Sequence, residues 1–445
     1  MAVKILRNQS QNGTTKVTIS TWVKRGSLSA SQTICTSFYS TGYYGVLRFA
    51  SSDQLEFIDY RGSNIMILKT NAVFRDTGAW YHVVATFDGT VSSPQAKIYV
   101  NGVLQTLANN TNYSQNQSTS WNTDYSFTIG AFNNGEYFNG SLSDFYYIQG
   151  YSYDASKFGA TDSATGIWKP ILNPTINYTS NGTNSCHLKF ENAGNLDLDS
   201  GGNSLSFSTS GTPTQTQDCP ANNFCVLNFL DTTRGLSNGN TTFAGASSGT
   251  VVKGSLGMLT GKYYAECKIL SAAQNMIGVL SMAQAPSTAY VGATAVGWGL
   301  FGDGTLYNNA SSTSNFSGSF SNNDIMGIAL DMDNNKLYFS KNGVFQNSGN
   351  PTSGATGTGA VSITSGLTMT FCGGRDSSAD TANFNFGNGY FGTTAVSSAG
   401  TNASGNGKFG TTAVSSAGTN ASGNGIFEYD VPTGYTALST KGLNS

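Results

Sequence analysis

A pattern of alternating apolar and polar positions occurs twice in this chain, about 240 residues apart. In the first copy an alternating stretch over 80–89 is followed by a polar break and a second stretch over 97–105. The second copy has the same organisation over 324–333 and 336–346. Each later stretch contains Asn-Gly, and both residues tolerate the positive φ of a type I′ turn, which predicts a β-hairpin. Two such units predict two antiparallel β domains.

Shorter alternating stretches surround both hairpins, and in the first unit turn signals recur about every 8 to 12 residues, as in a β-sandwich. The predicted strands cover 17–23, 44–49, 54–60, 65–69, 126–130, 140–148, 187–190, 262–269, 276–280, 295–301 and 367–371. We therefore predict an all-β chain with a first sandwich at 1–160 and a second sandwich at 223–445. Proline-interrupted, Ser/Thr-rich residues 161–222 are predicted to bridge the two.

The second unit contains a perfect tandem repeat, because residues 391–407 recur unchanged at 409–425 with a period of 18. Two copies are too few for a solenoid, which needs about three to bury a core. We interpret 391–426 as a duplicated surface loop of the second sandwich, since loop insertions cost little free energy. A projecting adhesive loop is the alternative.

Only 10% of the residues are charged, and the formal net charge is −2. An ordinary domain has about 25% charged residues, so Ser, Thr, Asn and Gly supply most of the polar surface here. This composition predicts neither a nucleic-acid partner nor an anionic membrane surface as partner. The N-terminus lacks the apolar region of a signal peptide, and no apolar run is long enough to span a bilayer. We expect synthesis in a cytosol without membrane insertion.

The sequence predicts no catalytic residue, no metal ligand and no cofactor. Glycan hydrolysis needs two carboxylates at a fixed separation, whereas the i, i+3 spacing of Glu56 and Asp59 puts them on opposite faces of a strand. His82 has no partner nucleophile in a recognisable motif, so we interpret it as a packed or hydrogen-bonded strand residue. Asp331-Met-Asp-Asn-Asn is interpreted as a polar β-turn, and a structural calcium ion in loops of the first unit stays open.

The cysteines and histidines also disfavour a zinc site. None of the six cysteines forms a Cys-x-x-Cys pair, and the chain has two histidines. Cys219 and Cys225 are near enough in sequence to consider a disulfide, but two free thiols are favoured for a cytosolic product.

Aromatic residues in turn-rich segments are the candidates for ligand binding, because exposed rings stack on sugar rings. The candidate residues are Tyr43, Tyr44, Trp121 and Tyr137 in the first unit and Trp298 and Tyr307 in the second. Core packing is the alternative for all of them, since large aromatic side chains dominate sandwich interiors. We expect core positions for Trp22 and Trp80 and favour a core position for Trp298 as well.

Motifs in the two units resemble known domain families. The first unit contains Trp-Val-Lys at 22–24, Trp-Tyr-His-Val-Val at 80–84 and Phe-Asn-Gly-Ser-Leu-Ser-Asp-Phe at 138–145. It resembles the laminin-G-like, concanavalin-type lectin sandwich. The second contains Gly-Lys-Tyr-Tyr-Ala-Glu at 261–266 and Leu-Tyr-Phe-Ser-Lys-Asn-Gly at 337–343, and it resembles the SPRY sandwich.

Connecting motifs at 158–170, 219–228 and 431–440 extend the resemblance to nearly the whole chain. Together they resemble virion structural proteins of tailed phages, notably marine and cyanobacterial phages. The resemblance implies a non-enzymatic virion protein that assembles in the host cytoplasm and lies on the tail or capsid surface. Its implied partners are other virion proteins, a host-surface glycan or receptor, and further copies of itself.

Three functions follow as hypotheses. A tail fibre, appendage or adhesin would recognise host-surface glycan or protein and form a closed oligomer. A capsid head decoration or cement protein would bind the capsid lattice. A surface glycan hydrolase would release reducing sugars. The first is favoured.

Overall fold

The computed structural model describes residues 3–11, 13–92, 95–111, 113–117, 119–179, 183–246, 251–272, 275–285, 290–375, 380–396 and 425–444. The chain divides into two compact units, Met1–Gln215 and Thr216–Ser445. Most of the duplicated loop predicted at 391–426 lies outside the described residues.

The first unit is built from two antiparallel sheets. Its strands are β1 (Lys4–Asn8), β2 (Lys16–Arg25), β3 (Gln32–Ser40), β4 (Tyr43–Phe49), β5 (Gln54–Arg61), β6 (Asn64–Val73), β7 (Trp80–Asp88), β8 (Ala96–Val100), β9 (Val103–Leu104), β10 (Leu107–Thr111), β11 (Ser126–Ile129), β12 (Gly140–Gln149), β13 (Gly159–Thr161), β14 (Trp168–Pro170), β15 (Cys186–Leu188) and β16 (Ser208–Ser210). The eight-stranded sheet has the order β10-β6-β5-β4-β3-β11-β1-β16, and the six-stranded sheet has the order β15-β12-β2-β7-β8-β9.

The two sheets pack face to face around one apolar core. Leu47 and Phe57 of the eight-stranded sheet share this core with Val17, Ile19 and Val83 of the six-stranded sheet, and all five side chains are fully buried. Alternate residues along each strand point inward, as the pleat requires.

The segment predicted to bridge the domains contributes most of its length to the first unit. Strand β15 pairs with β12, and β16 pairs with β1. The β13–β14 hairpin places the Trp168 ring against Gly102 and Gly159, where a Cβ atom would come within 2.5 Å of it. The outer face of the six-stranded sheet carries Val84 and Ile148, and covering such apolar side chains explains the added layer.

The second unit also consists of two main sheets. Its strands are β17 (Leu236–Ser237), β18 (Thr242–Phe243), β19 (Val252–Lys253), β20 (Lys262–Ile269), β21 (Met276–Ser281), β22 (Gly297–Phe301), β23 (Leu306–Asn308), β24 (Ser311–Thr313), β25 (Ile325–Asp331), β26 (Lys336–Lys341), β27 (Val344–Phe345), β28 (Val361–Ser362), β29 (Met369–Gly373), β30 (Ala382–Asn385), β31 (Tyr390–Phe391), β32 (Thr394–Ala395) and β33 (Thr436–Ala437). One sheet follows β17-β18-β30-β20-β25-β26-β27, with β28 on β26 and β33 on β20, and the other follows β19-β29-β21-β22-β23-β24.

These sheets enclose a core of their own, in which Ala265 and Ile328 face Val279, Leu300 and Phe371. Apart from the parallel β20–β33 pair, the ladders are antiparallel. The all-β class with antiparallel sandwiches, predicted from the alternating pattern, is confirmed.

Short 3₁₀ turns are the helical elements of the described residues. They are Ser120–Asn122, Ala155–Lys157, Phe229–Asp231, Pro351–Thr356 and Gly442–Asn444. Within the described part of the chain, no helix has the length and apolar character needed to cross a membrane.

The two Asn-Gly turns confirm the hairpins predicted around them. Asn101 and Asn342 have φ of 48° and 49°, in the left-handed region. In each turn the asparagine side-chain oxygen accepts a hydrogen bond from a backbone N–H across the ladder, His82 in the first unit (2.8 Å) and Ile325 in the second (2.9 Å). The asparagine thus supplies both the backbone conformation and an acceptor for a neighbouring strand.

Candidate functional site

An exposed cluster of tyrosines lies at the turn where strand β3 ends and strand β4 begins. Tyr39 and Tyr43 keep 70% and 46% of their surface exposed, although their ring centroids are 6.5 Å apart in an edge-to-face contact. The Tyr39 ring also stacks on Tyr125, with centroids 5.2 Å apart. We call Tyr39, Tyr43 and Tyr125 the tyrosine rim.

A second aromatic group lies on the outer face of the same sheet. Cross-strand pairing puts Phe38 opposite Tyr44 and Tyr44 opposite Tyr60. The Tyr44 and Tyr60 rings stack at 5.2 Å, and Phe132 packs edge-on against Tyr44 at 4.8 Å. Such cross-strand aromatic pairs stabilise a sheet and hold the rings in fixed positions. We call Phe38, Tyr44, Tyr60 and Phe132 the outer aromatic row.

A buried carboxylate fixes the backbone that supports the rim. Asp59 is fully buried and accepts hydrogen bonds from Ser120 N (2.6 Å), Ser120 Oγ (2.7 Å) and the Tyr113 hydroxyl. Burial raises the pKa of Asp59, and these hydrogen bonds together with the nearby Arg61 guanidinium oppose that rise. The Asp59 carboxylate therefore acts as a structural anchor.

Charged residues continue the outer face beyond the aromatic row. The Arg48 guanidinium contacts Glu56 and Glu136, each at 2.9 Å, and Lys69 approaches Glu56 at 3.2 Å. Glu56 thus lies on the outer face, whereas Asp59 points inward, as their sequence spacing predicted. Both outer carboxylates are held by cations.

Of the four candidates predicted in the first unit, Tyr43 lies in the tyrosine rim and Tyr44 in the outer aromatic row. As consecutive residues of β4 they point to opposite faces of the sheet. Tyr137 is half-buried in the loop beside Glu136. Trp121 is fully buried in the core, so it cannot stack on a ligand. Its ring occupies the space over Gly45, where a Cβ atom would come within 2.5 Å of the indole.

Neither candidate in the second unit presents an exposed ring. Trp298 is 4% exposed within the core, which excludes it from direct stacking on a ligand. Tyr307 is half-buried, and its ring contacts Tyr290 at 5.4 Å and Phe301 at 6.4 Å. These rings cover the outer face of the second unit's β19-β29-β21-β22-β23-β24 sheet.

Five members of the rim and the row were not among the predicted candidates: Phe38, Tyr39, Tyr60, Tyr125 and Phe132. The signal for Tyr39 was present, because Phe-Tyr-Ser-Thr-Gly-Tyr-Tyr at 38–44 places aromatic residues on both sides of a glycine-containing turn. Tyr125 and Phe132 come from distant loops, and nothing in their local sequence indicates that they meet this hairpin.

The environment of His82 confirms that it is a hydrogen-bonded strand residue. Trp168 Nε1 donates to His82 Nδ1 at 3.0 Å, and Ser20 Oγ lies 2.9 Å from Nε2. Burial lowers the pKa of His82 to about 3, so the ring is neutral at physiological pH. Because Nδ1 accepts, Nε2 carries the hydrogen and donates to Ser20, which leaves no lone pair to activate that hydroxyl.

The acidic segment at 331–335 forms the turn between β25 and β26, as predicted. Asp331 accepts from Asn334 N at 2.9 Å and pairs with Lys262 at 3.0 Å. Among the described residues, no three His, Cys, Asp or Glu side chains lie together as metal ligands. The side chains of all six cysteines are buried.

Comparison with known proteins agrees with the two sandwiches. Residues 2–149 match the concanavalin A-like lectin/glucanases superfamily, and residues 262–388 match the SPRY domain. The resemblance of each unit to its domain family is thereby confirmed. A concanavalin-like domain together with a SPRY domain suggests a binding or adhesion module.

Two solved structures are similar to part of the chain. The SPRY domain of human HERC1 shares 18% identity over 36% of this chain and 96% of its own, with a TM-score of 0.29. The PSpry domain of TRIM65 shares 14% identity over 36% of this chain and 89% of its own, also with a TM-score of 0.29. Among curated proteins, the search found no match to the sequence.

Proposed function

We propose that this chain is a non-enzymatic binding protein whose first unit recognises a glycan or protein through the tyrosine rim. The exposure of Tyr39 and Tyr43, despite their ring contact, carries this proposal. Tyrosine supplies a large, rigid contact surface with a polar tip and loses little conformational entropy on binding.

We further propose that the protein belongs to a tailed-phage virion, as a tail appendage or adhesin that meets the host surface. The ordered series of motifs from 22–24 to 431–440 supports this origin. The expected partners are other virion proteins and further copies of the chain, with host-surface glycan or receptor as the ligand.

The rim is tested by binding of the full-length protein to host cells and to a glycan array. The double variant Tyr39→Ala/Tyr43→Ala removes the exposed rings, and truncation of a binding hot spot costs about 2 kcal/mol. We expect affinity to fall by about 30-fold. Tyr307→Ala is the matched control, because it removes a half-buried tyrosine from the other unit. Loss of binding in the control and its retention in the double variant would place the ligand on the second unit.

The virion role is tested by immunogold labelling of intact particles with an antibody against the chain. Label at the tail or its fibres is the expected result. Label spread over the head would favour the alternative, a capsid decoration or cement protein. Particles without label would contradict the virion role itself.

The hydrolase alternative has less support from the geometry. Glycosidases use one carboxyl group as proton donor, whereas both carboxylates described on the outer face, Glu56 and Glu136, pair with Arg48. We expect no reducing sugar when the protein is incubated with the glycans that it binds. Release of reducing ends by the wild type would contradict the non-enzymatic proposal.

A further inference from the structure

A groove apart from the tyrosine rim opens on the first unit, next to the end of β12. It has a volume of about 630 Å³. Its walls include Tyr151, Tyr153, Lys157, Asn177 and Tyr178. Beside the aromatic rings, the walls present the amide of Asn177 and the ammonium group of Lys157. A few convergent polar groups among aromatic walls are typical of small-ligand sites.

The rings of Tyr151 and Tyr153 and the ammonium group of Lys157 lie next to one another in the groove. Tyr151 and Tyr153 alternate with Ser152, and their rings stack with centroids 5.3 Å apart and planes 3° apart. Lys157 Nζ lies 5.3 Å from the centre of the Tyr153 ring. Among the described residues that line the groove, Lys157 is the one with a charged side chain.

Buried hydroxyl groups hold the Tyr151–Tyr153 segment rigidly against the six-stranded sheet. Thr18 Oγ1 donates to Tyr151 O at 2.9 Å and accepts from Tyr153 N at 2.8 Å. Thr86 Oγ1 lies 2.7 Å from Ser152 Oγ. Thr18 and Thr86 are buried strand residues, so the two rings are preorganised before any ligand arrives.

The part of the groove formed by Tyr178, Thr179 and Gly202 is also held by side-chain hydrogen bonds. Asn203 Nδ2 donates to Tyr178 O at 2.8 Å and to Ser185 O at 3.0 Å. Gly202 lines the groove, and a Cβ atom there would lie 3.2 Å from Thr179 Cγ2. A larger residue at 202 would therefore narrow the groove without removing any tyrosine.

We propose that this groove binds an anionic oligosaccharide. A pyranose ring stacks on the Tyr151–Tyr153 pair, and Lys157 pairs with a carboxylate or sulfate of the sugar. Single-stranded nucleic acid is disfavoured, because it needs a row of cations along the phosphates, whereas this groove offers one lysine. This site does not depend on the rim or on the virion role.

The test uses the full-length protein on an array of uronate-containing and sulfated oligosaccharides. Each acidic glycan is printed beside its methyl-esterified or desulfated counterpart, and an oligo-dT strand is included. We expect binding to acidic members, with at least tenfold weaker binding to the neutral counterparts. Lys157→Gln should abolish that preference, whereas Lys97→Gln, a lysine of β8 outside the groove, should not.

Three further variants distinguish loss of binding at the groove from misfolding and from loss of binding at the rim. Tyr153→Leu and Gly202→Leu should each weaken binding to acidic glycans by at least tenfold, the second without loss of an aromatic ring. Tyr39→Ala/Tyr43→Ala should leave this binding unchanged, so failure of the groove and failure of the rim are distinguishable. No acidic glycan bound, binding insensitive to both groove variants, or binding to oligo-dT alone would each overturn the proposal.

Discussion

At the scale of single residues, His82 shows how a residue far away in the sequence determines which ring nitrogen carries the hydrogen. An indole N–H only donates, so Trp168 requires Nδ1 of His82 to accept. The Trp22 ring stacks on the imidazole at 4.8 Å and completes its enclosure. The ring is therefore neutral in the fold but accessible to protons in the unfolded chain.

This enclosure predicts acid sensitivity of the first unit. The pKa of His82 is about 3 in the fold against 6.5 for an unperturbed imidazole, so between these values the unfolded chain binds a proton that the folded chain does not. The contribution of this imidazole to stability is complete well above pH 6.5 and decreases as pH falls, by about 3 kcal/mol at pH 4.5. His82→Gln keeps an acceptor and a donor and should make this decrease correspondingly smaller.

The measurement is urea unfolding of full-length wild type and His82→Gln across pH 4.5 to 7.5, followed by tryptophan fluorescence. Four of the five tryptophans lie in the first unit, so the signal reports mainly on that unit. Equal pH dependence in the two proteins would contradict the assignment of a buried neutral imidazole.

At the scale of structural elements, the ends of the duplicated segment are held close together. Ile426 N donates to Gly387 O at 2.8 Å, and Asn385 Nδ2 donates to Ile426 O at 2.9 Å. The chain after it is anchored by Glu266, a fully buried carboxyl group that accepts from Glu428 N and Tyr429 N, each at 2.8 Å. The residues before and after the repeat are thus held together by contacts that do not involve the repeat itself.

Removal of one 18-residue copy should therefore leave the fold intact. Deletion of 391–408 puts Phe409 in the place of Phe391 and regenerates the same sequence around the short β31–β32 hairpin. Halving a loop lowers its closure cost by about 0.6 kcal/mol, so we expect stabilisation by about 1 kcal/mol or less. Equilibrium unfolding in urea measures the change, and a loss of stability by several kcal/mol would show that the repeat forms part of the core.

Local patterns explain which elements could be predicted and which could not. The Asn-Gly turns and Lys262–Ile269 follow from alternation and turn chemistry within a few residues. Strand β3 was not predicted, because Thr33, Thr36 and Ser37 are polar yet buried, with hydroxyls such as Thr36 Oγ1 bonded to Gly45 O at 2.7 Å. The core position of Trp121 was equally inaccessible, since polar neighbours indicated a loop and the cavity over Gly45 arises only in the folded sheet.

At the scale of the whole molecule, the division into units depends on what covers the six-stranded sheet of the first sandwich. Its outer face carries Val84, Tyr146 and Ile148, which pack with Phe158 beneath the segment that follows β12. Cys186 and Leu188 of β15 are fully buried at the edge of the same sheet. A fragment that ends at 160 keeps Phe158 but lacks β15 and the later residues Trp168, Ile176 and Tyr178 that pack against this layer, so part of the outer face would be exposed to water. A fragment that ends at 215 retains these contacts.

The two fragments should therefore behave differently. Burial of one large apolar side chain contributes about 1.5 to 3 kcal/mol, and loss of several such contacts approaches the 5 to 15 kcal/mol that stabilises an ordinary domain. We expect fragment 1–215 to unfold in one cooperative transition with a near-ultraviolet circular dichroism spectrum, and fragment 1–160 to lack both. Cooperative unfolding of 1–160 with similar stability would show that the later segment only decorates the sandwich.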